Sequence, residues 1–206
     1  MATITVMFIG RSGCGKGTQS RLLKEYLERT TGQKVIHVST GDQMRTVMRS
    51  NNETARLIDK KVMRAGGLAP VFLPIWAWGD IFVKYLSADQ HVILDGAPRT
   101  ELEAKVIIEA LQFYGRLRVY PFVLDVSAEE VAQRMSLRGR ADDTPGNIQN
   151  RMAFYKNHVV PAQDVLKQHY RAWNTFRLLQ SDGKSPREVH QEVIAWIGRD
   201  FEDVPF

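Results

Sequence analysis

The stretch Gly10-Arg-Ser-Gly-Cys-Gly-Lys-Gly-Thr18 has the residue types and spacing needed to hold a polyphosphate. Closely spaced glycines let the backbone curl until successive N–H groups point at phosphate oxygens. A helix that opens directly after them adds positive potential. Lys16 supplies a mobile positive charge for a phosphate in transfer, and the G-x-x-x-x-G-K core is intact. Gly13, Cys14, Gly15, Lys16, Gly17 and Thr18 are the expected donor contacts. The residue after Lys16 is Gly17, and the hydroxyl comes one place later, at Thr18. This departs from loops in which a Ser or Thr directly after the lysine ligates magnesium. Cys14 sits where a thiol pKa can fall, but phosphoryl transfer needs no thiol, so it reads as a small spacer.

Such a loop works only between a strand and a helix, and the surrounding sequence supplies both. Thr3–Ile9 reads as a strand and Lys16–Arg29 as a helix with Leu22, Leu23, Tyr26 and Leu27 on its inner face. Val35–Val38, Val92–Leu94, Val119–Leu124 and Phe176–Leu179 read as further strands. Helical patterns fill the gaps: Gly41–Arg49, Glu53–Arg64, Leu73–Leu86, Glu101–Phe113, Ala128–Arg138, Asn147–Tyr170 and Pro186–Phe201. Apolar strands separated by helices imply an α/β fold with a parallel sheet buried on both faces. Ser127-x-x-Glu130 and Ser185-x-x-Glu188 have the spacing of capping boxes. Phe72, Trp76 and Trp78 read as core rather than as a base-stacking platform.

The 206 residues, 44% hydrophobic and 25% charged, fit one domain with an ample core and exclude wholesale disorder. A single Cys cannot form an internal disulfide, and the five His show no zinc spacing. The Val6–Ile9 run is too short to span a bilayer, and no leader pattern precedes it, so a cytoplasmic protein is expected. The net charge of +5 suits nucleic acid or small phosphorylated ligands. The basic residues concentrate in phosphate-type motifs rather than an aromatic-interleaved stripe, which argues against nucleic acid.

Four ordered motifs resemble those of the nucleoside monophosphate kinases, adenylate kinases above all. They are Gly15-Lys-Gly-Thr-Gln19, Val38-Ser-Thr-Gly-Asp-Gln-Met-Arg45, Leu94-Asp-Gly-Ala-Pro-Arg-Thr100, and Arg138-Gly-Arg-Ala-Asp-Asp-Thr144 followed by Arg151. The last is similar to versions with a very short lid, and the Ser181-Asp-Gly183 turn also fits. The resemblance implies a three-layer P-loop NTPase fold over residues 1–206, with a helical monophosphate-binding insert at 40–69 and a lid at 137–143. It implies reversible transfer from Mg·ATP to a nucleoside monophosphate, with no membrane or nucleic-acid partner and a monomeric chain.

By the same resemblance, Arg45 and Arg99 hold the acceptor phosphate, while Arg138, Arg140 and Arg151 clamp the donor and the group in flight. Arg134 stacks on the ATP adenine. Thr40, Gly67, Leu68, Ala69, Gly96, Ala97, Pro98 and Glu103 line the acceptor site. Guanidinium groups suit this work because each binds phosphate oxygens in a bidentate fork. Asp95 ends a strand where a carboxylate orients water on magnesium, so no direct protein ligand to the metal is expected. Asp142 and Asp143 read either as hinge or counter-ion groups or as the start of a helix capped at Thr144-Pro145.

The acceptor base is where the sequence leaves the family pattern. Adenylate kinases carry Gln at the position of Glu103 and Phe at that of Ala97. An ionised Glu103 can only accept hydrogen bonds, which suits guanine; a protonated one can also donate, as Gln does, which suits adenine. Ala97 is expected to open one wall of the pocket. Thr100-x-x-Glu103 is also a capping box, so Glu103 has a purely local alternative. AMP is the expected acceptor, with GMP, CMP or UMP as alternatives. A GTPase or generic ATPase fits poorly, since no guanine-reading N-K-x-D segment is present. A nucleotide-binding regulator without turnover is the remaining alternative.

Overall fold

The computed structural model describes residues 3–63, 69–139 and 144–198. Five strands form one parallel sheet: β1 (Thr5–Gly10), β2 (Val35–Ser39), β3 (His91–Asp95), β4 (Val119–Asp125) and β5 (Arg177–Gln180). Their spatial order is β2-β3-β1-β4-β5, so β1 is central, with Met7 opposite Leu94 on one side and Pro121 on the other. Pro121 comes one residue before β4 begins to pair with β5, so its missing N–H breaks no bond to that strand.

Nine α-helices are described: α1 (Lys16–Thr31), α2 (Thr40–Val47), α3 (Glu53–Ile58), α4 (Phe72–Tyr85), α5 (Glu101–Phe113), α6 (Ala128–Arg138), α7 (Pro145–Phe154), α8 (Val160–His169) and α9 (Pro186–Gly198). The period of two along β1 divides the core. Met7 and Ile9 face a layer containing Trp78, Phe82, Ile107, Leu111 and Leu166. Val6 and Phe8 face the other layer, with Leu23, Leu27, Val131, Met135 and Val193. A smaller cluster of Met44, Ile58, Ala69, Leu73 and Ala77 joins α2 and α3 to α4.

Three expectations need correction. The helix expected over Glu53–Arg64 is α-helical only to Ile58 and continues as a π-turn over Asp59–Met63. The single helix expected over Asn147–Tyr170 is likewise divided by a π-turn at Tyr155–Val159. Such an insertion shifts which side chains face inward, and hydrophobic periodicity does not show it. Trp78 is core as expected, but Phe72 is 63% and Trp76 49% exposed. Both project from the side of α4 away from the sheet.

At the opposite end of the sheet from the phosphate loop lies a buried polar network. His91 Nδ1 accepts from Ile4 N at 3.1 Å, and its Nε2 lies 3.1 Å from Thr31 Oγ1. Burial, helped by the Arg116 charge, pushes the His91 pKa down to about 4. The folded chain therefore binds fewer protons than the unfolded chain between about pH 4 and 6.5, and stability falls as pH drops through that window. The contribution is on the order of 3 kcal/mol. Glu103, described below, titrates in the opposite sense over nearly the same range, so the informative quantity is a difference. Urea unfolding of the chain and of His91→Gln should converge by about 2–3 kcal/mol as pH falls from 6.5 to 4. A difference independent of pH would disprove the assignment.

Candidate active site around the phosphate loop

The loop between β1 and α1 depends on backbone that only glycine adopts without strain. Gly10 and Gly13 have φ of 147° and 89°. A Cβ at Gly10 would lie 2.6 Å from Leu124 O, and one at Gly13 would lie 2.7 Å from Met135 Cγ. The α1 N-terminus has no side-chain cap and no acidic residue in its first turn, so its N–H groups remain available to an anion. The displaced hydroxyl has a steric reason: a Cβ at Gly17 would come within 3.3 Å of Asp95 Oδ2. Cys14 is 2% exposed and packs in the core, as a spacer should.

Lys16 folds back on its own loop, donating from Nζ to Gly10 O at 3.0 Å and Arg11 O at 2.8 Å, with Cys14 Sγ at 3.7 Å. Neutral carbonyls hold the ammonium where a phosphate would displace them. Across from it, the Gly96 carbonyl accepts from both Thr40 Oγ1 at 3.2 Å and Arg99 Nε at 2.7 Å. A Cβ on Gly96 would meet Arg99 Nη2 at 3.2 Å and Lys16 Cε at 3.5 Å. Lys16, Thr40, Gly96 and Arg99, from three separate sequence motifs, thus meet at one point. The peptide bond between Ala97 and Pro98 is cis.

Burial lowers the Arg99 pKa, while Glu103 and Asp95 favour its charged form and Arg151 and Arg45 oppose it. A guanidinium stays charged regardless, so this is a concentrated positive field. Arg45, on α2, pairs with Asp42. Gly10, Lys16, Gly96, Pro98, Arg99 and Arg151 line a cavity of about 30 Å³ together with Arg11 and Tyr155. That is room for about one water, so Lys16 and its neighbours must move when phosphates enter.

On the other side of the loop, Gly13, Cys14, Gly15, Thr18, Arg134 and Ser181 line a larger cavity of about 290 Å³, close to the size that suits a nucleotide base. Arg134 is held there by Glu130 and by Ser181 O at 3.4 Å. The two cavities flank the phosphate loop.

Asp95 ends β3 with its Oδ2 3.9 Å from His37 Nε2. Burial lowers the His37 pKa against the opposing pull of Asp95. His37 was not singled out from the sequence, although its place one strand over, two residues before Ser39, was legible.

The acceptor end differs from expectation. Ala97 is fully buried in the same cluster as Trp78, so the smaller residue opens no wall. Ala69 is also buried, against Met44 and Leu73. Glu103 has no exposed surface; its Oε2 accepts from Arg99 N at 2.7 Å, and its own N–H donates to Thr100 Oγ1 at 3.2 Å. The local capping alternative therefore accounts for one carboxylate oxygen. Oε1 and the neighbouring Trp78 Nε1 both lack a partner in hydrogen-bond geometry. Burial raises the Glu103 pKa to about 7, against the stabilising Arg99 N–H bond and charge. Gly67, Leu68, Arg140, Asp142 and Asp143 lie outside the described residues. Arg138 closes α6, and only its backbone is described.

A glycine-rich loop between a central parallel strand and a helix, faced by clustered arginines across a second strand end, defines a P-loop phosphotransferase. The family model for adenylate kinase matches residues 8–171. An adenylate kinase of Leptospira biflexa is 35% identical over 197 residues, covering 93% of this chain and 98% of the relative. Adenylate kinase 1 of a Nostoc species is 30% identical over 194 residues, with 94% and 98% covered. The chain belongs to the adenylate kinase family. It is a nucleoside monophosphate kinase of the ATP-plus-AMP type. No described helix is long and apolar enough to cross a membrane.

Proposed function

We propose that Lys16, Arg99 and Arg151, with Arg138 and Arg140, neutralise the phosphates of ATP and AMP during in-line transfer. The observation that carries this reading is the meeting of Lys16, Thr40 and Arg99 at Gly96, with Arg151 lining the same cavity. The attacking group is an AMP phosphate oxygen, already largely deprotonated because its second pKa is about 6, so no general base is required. Catalysis comes from placement and charge neutralisation. Gly13, Cys14, Gly15, Gly17 and Thr18 cradle the donor phosphates, and Arg134 holds the donor base in the larger cavity. Arg45 and Thr40 belong to the acceptor side.

Magnesium fits as an ion carried by ATP, supplying charge neutralisation at the bridging oxygens. Asp95, beside Gly17 at the loop, is the carboxylate that would orient its water shell. Residues 40–69 form the monophosphate-binding insert and 137–143 the lid, which exclude water before transfer. One chain carries both nucleotide sites, so the active form is a monomer, working in the cytoplasm.

Glu103 reads the acceptor base through Oε1, once the insert moves to admit it. Protonated, it offers one donor and one acceptor, as adenine N1 and N6 require; ionised, it only accepts. Because burial places its titration near pH 7, the ratio of AMP to GMP initial rates should fall as pH rises from 6 to 8. The ratio removes the shared titration of the acceptor phosphates. Glu103→Gln should keep AMP preference constant across that range. A ratio that does not change with pH in the unsubstituted chain would leave Glu103 as a helix cap alone.

A further inference from the structure

Arg11 is the second residue of the phosphate loop, and neither the family motifs nor the reading above gives it a role. Its carbonyl accepts from Cys14 N at 3.2 Å and from Lys16 Nζ at 2.8 Å, so its backbone shapes the loop and holds the lysine. Its side chain leaves the loop altogether. Nη1 donates to Val126 O at 2.9 Å and to Asp125 Oδ1 at 3.4 Å, at the end of β4. The guanidinium carbon lies 4.3 Å from the centre of the Tyr155 ring.

Both anchors are themselves fixed. Gln180 Nε2 on β5 donates to Asp125 Oδ2 at 2.7 Å, and Gln163 Nε2 on α8 donates to the Tyr155 hydroxyl at 3.1 Å. Tyr155 opens the π-turn that follows α7, the helix carrying Arg151. A π-turn in this position is a departure from regular helix that hydrophobic packing alone does not require, and such turns concentrate at functional sites. Here it sets the Tyr155 ring under Arg11, against the cavity lined by Lys16, Arg99 and Arg151.

We propose that Arg11 is a positioning residue for phosphoryl transfer. By joining the phosphate loop to the end of β4 and to the Tyr155 ring, it keeps Lys16 in register with Arg151. The inference rests on the reading that Lys16 and Arg151 bind the phosphates in transfer. Register between two cations matters most when charge shifts between donor and acceptor, so losing it lowers kcat more than it weakens binding of either nucleotide. A cation over an aromatic ring contributes an amount that corresponds to about tenfold in rate.

The test is a double-mutant cycle on the full chain, with initial rates over a matrix of ATP and AMP concentrations. Arg11→Ala and Tyr155→Leu should each lower kcat about tenfold while changing either KM by less than about threefold. The double variant should be no worse than the weaker single one, and Arg11→Lys should recover part of the loss. Arg11→Met stands in should Arg11→Ala unfold, as judged by thermal melting. An unchanged kcat in the Arg11 variants, or losses that multiply in the double variant, would overturn the proposal. So would a raised KM for ATP in Arg11→Ala with Tyr155→Leu silent, because Arg11 would then be a direct phosphate ligand. Lys16→Ala run alongside separates the two levels. If it stays active, the underlying site reading fails and takes this inference with it; if it is inactive while Arg11→Ala is not impaired, this inference alone fails.

Discussion

Lys16→Ala lowers kcat by about two to three orders of magnitude while the chain stays folded. The ammonium reaches only carbonyls of its own loop and the Cys14 sulfur, and it fills no part of either core layer. Its removal leaves those carbonyls next to a cavity that water can enter. What disappears is a positive charge beside Gly96 and Arg99, where negative charge accumulates on the group in transfer. A coupled assay of ADP formation measures the rate, and thermal melting measures the fold. Retention of near-normal transfer would remove the phosphate-loop assignment.

Arg99→Ala has a comparable effect on kcat/KM for AMP, about a thousandfold, because a buried guanidinium fork in contact with the Gly96 carbonyl has no replacement nearby. Arg99→Lys recovers little of it, since a point charge does not reproduce the planar fork. The two variants also bear on Glu103. Arg99 charge holds the carboxyl pKa down against burial, so Arg99→Ala raises it and shifts the AMP-to-GMP pH dependence to higher pH. Should Arg99→Ala instead weaken ATP alone and leave the AMP KM unchanged, the arginine belongs to the donor side.

The parts of the site that were legible in the sequence are those whose chemistry is local. Gly10, Gly13 and Gly15 had to be glycine because neighbouring atoms and backbone angles admit little else, and that demand is visible in six residues of text. Arg99 and Thr40 were legible through motif spacing. Glu103 was legible as an ambiguity: the capping spacing and the base-reading position coincide, and the structure assigns one oxygen to the first and leaves the other without a partner. Phe72 and Trp76 were misjudged because aromatic content does not say which side of a helix finds a neighbour. The break at Tyr155 was invisible because one extra residue per turn changes facing without changing composition.

By itself, the sequence determined the strand–loop–helix that cradles phosphate, the alternation that buries a parallel sheet on two faces, and the charges available to the site. Each follows from interactions between residues close in the chain, where spacing is geometry. Only the tertiary structure decided that β3 sits between β2 and β1, which brings Thr40, Gly96 and Lys16 together from positions up to 80 residues apart. It alone decided that Trp78 closes the space beside Ala97, that Glu103 titrates near neutrality, and that Arg11 reaches Tyr155. Burial and long-range pairing are properties of the packed whole. A carboxylate's proton affinity or an arginine's partner is set by atoms that the linear order does not place next to it.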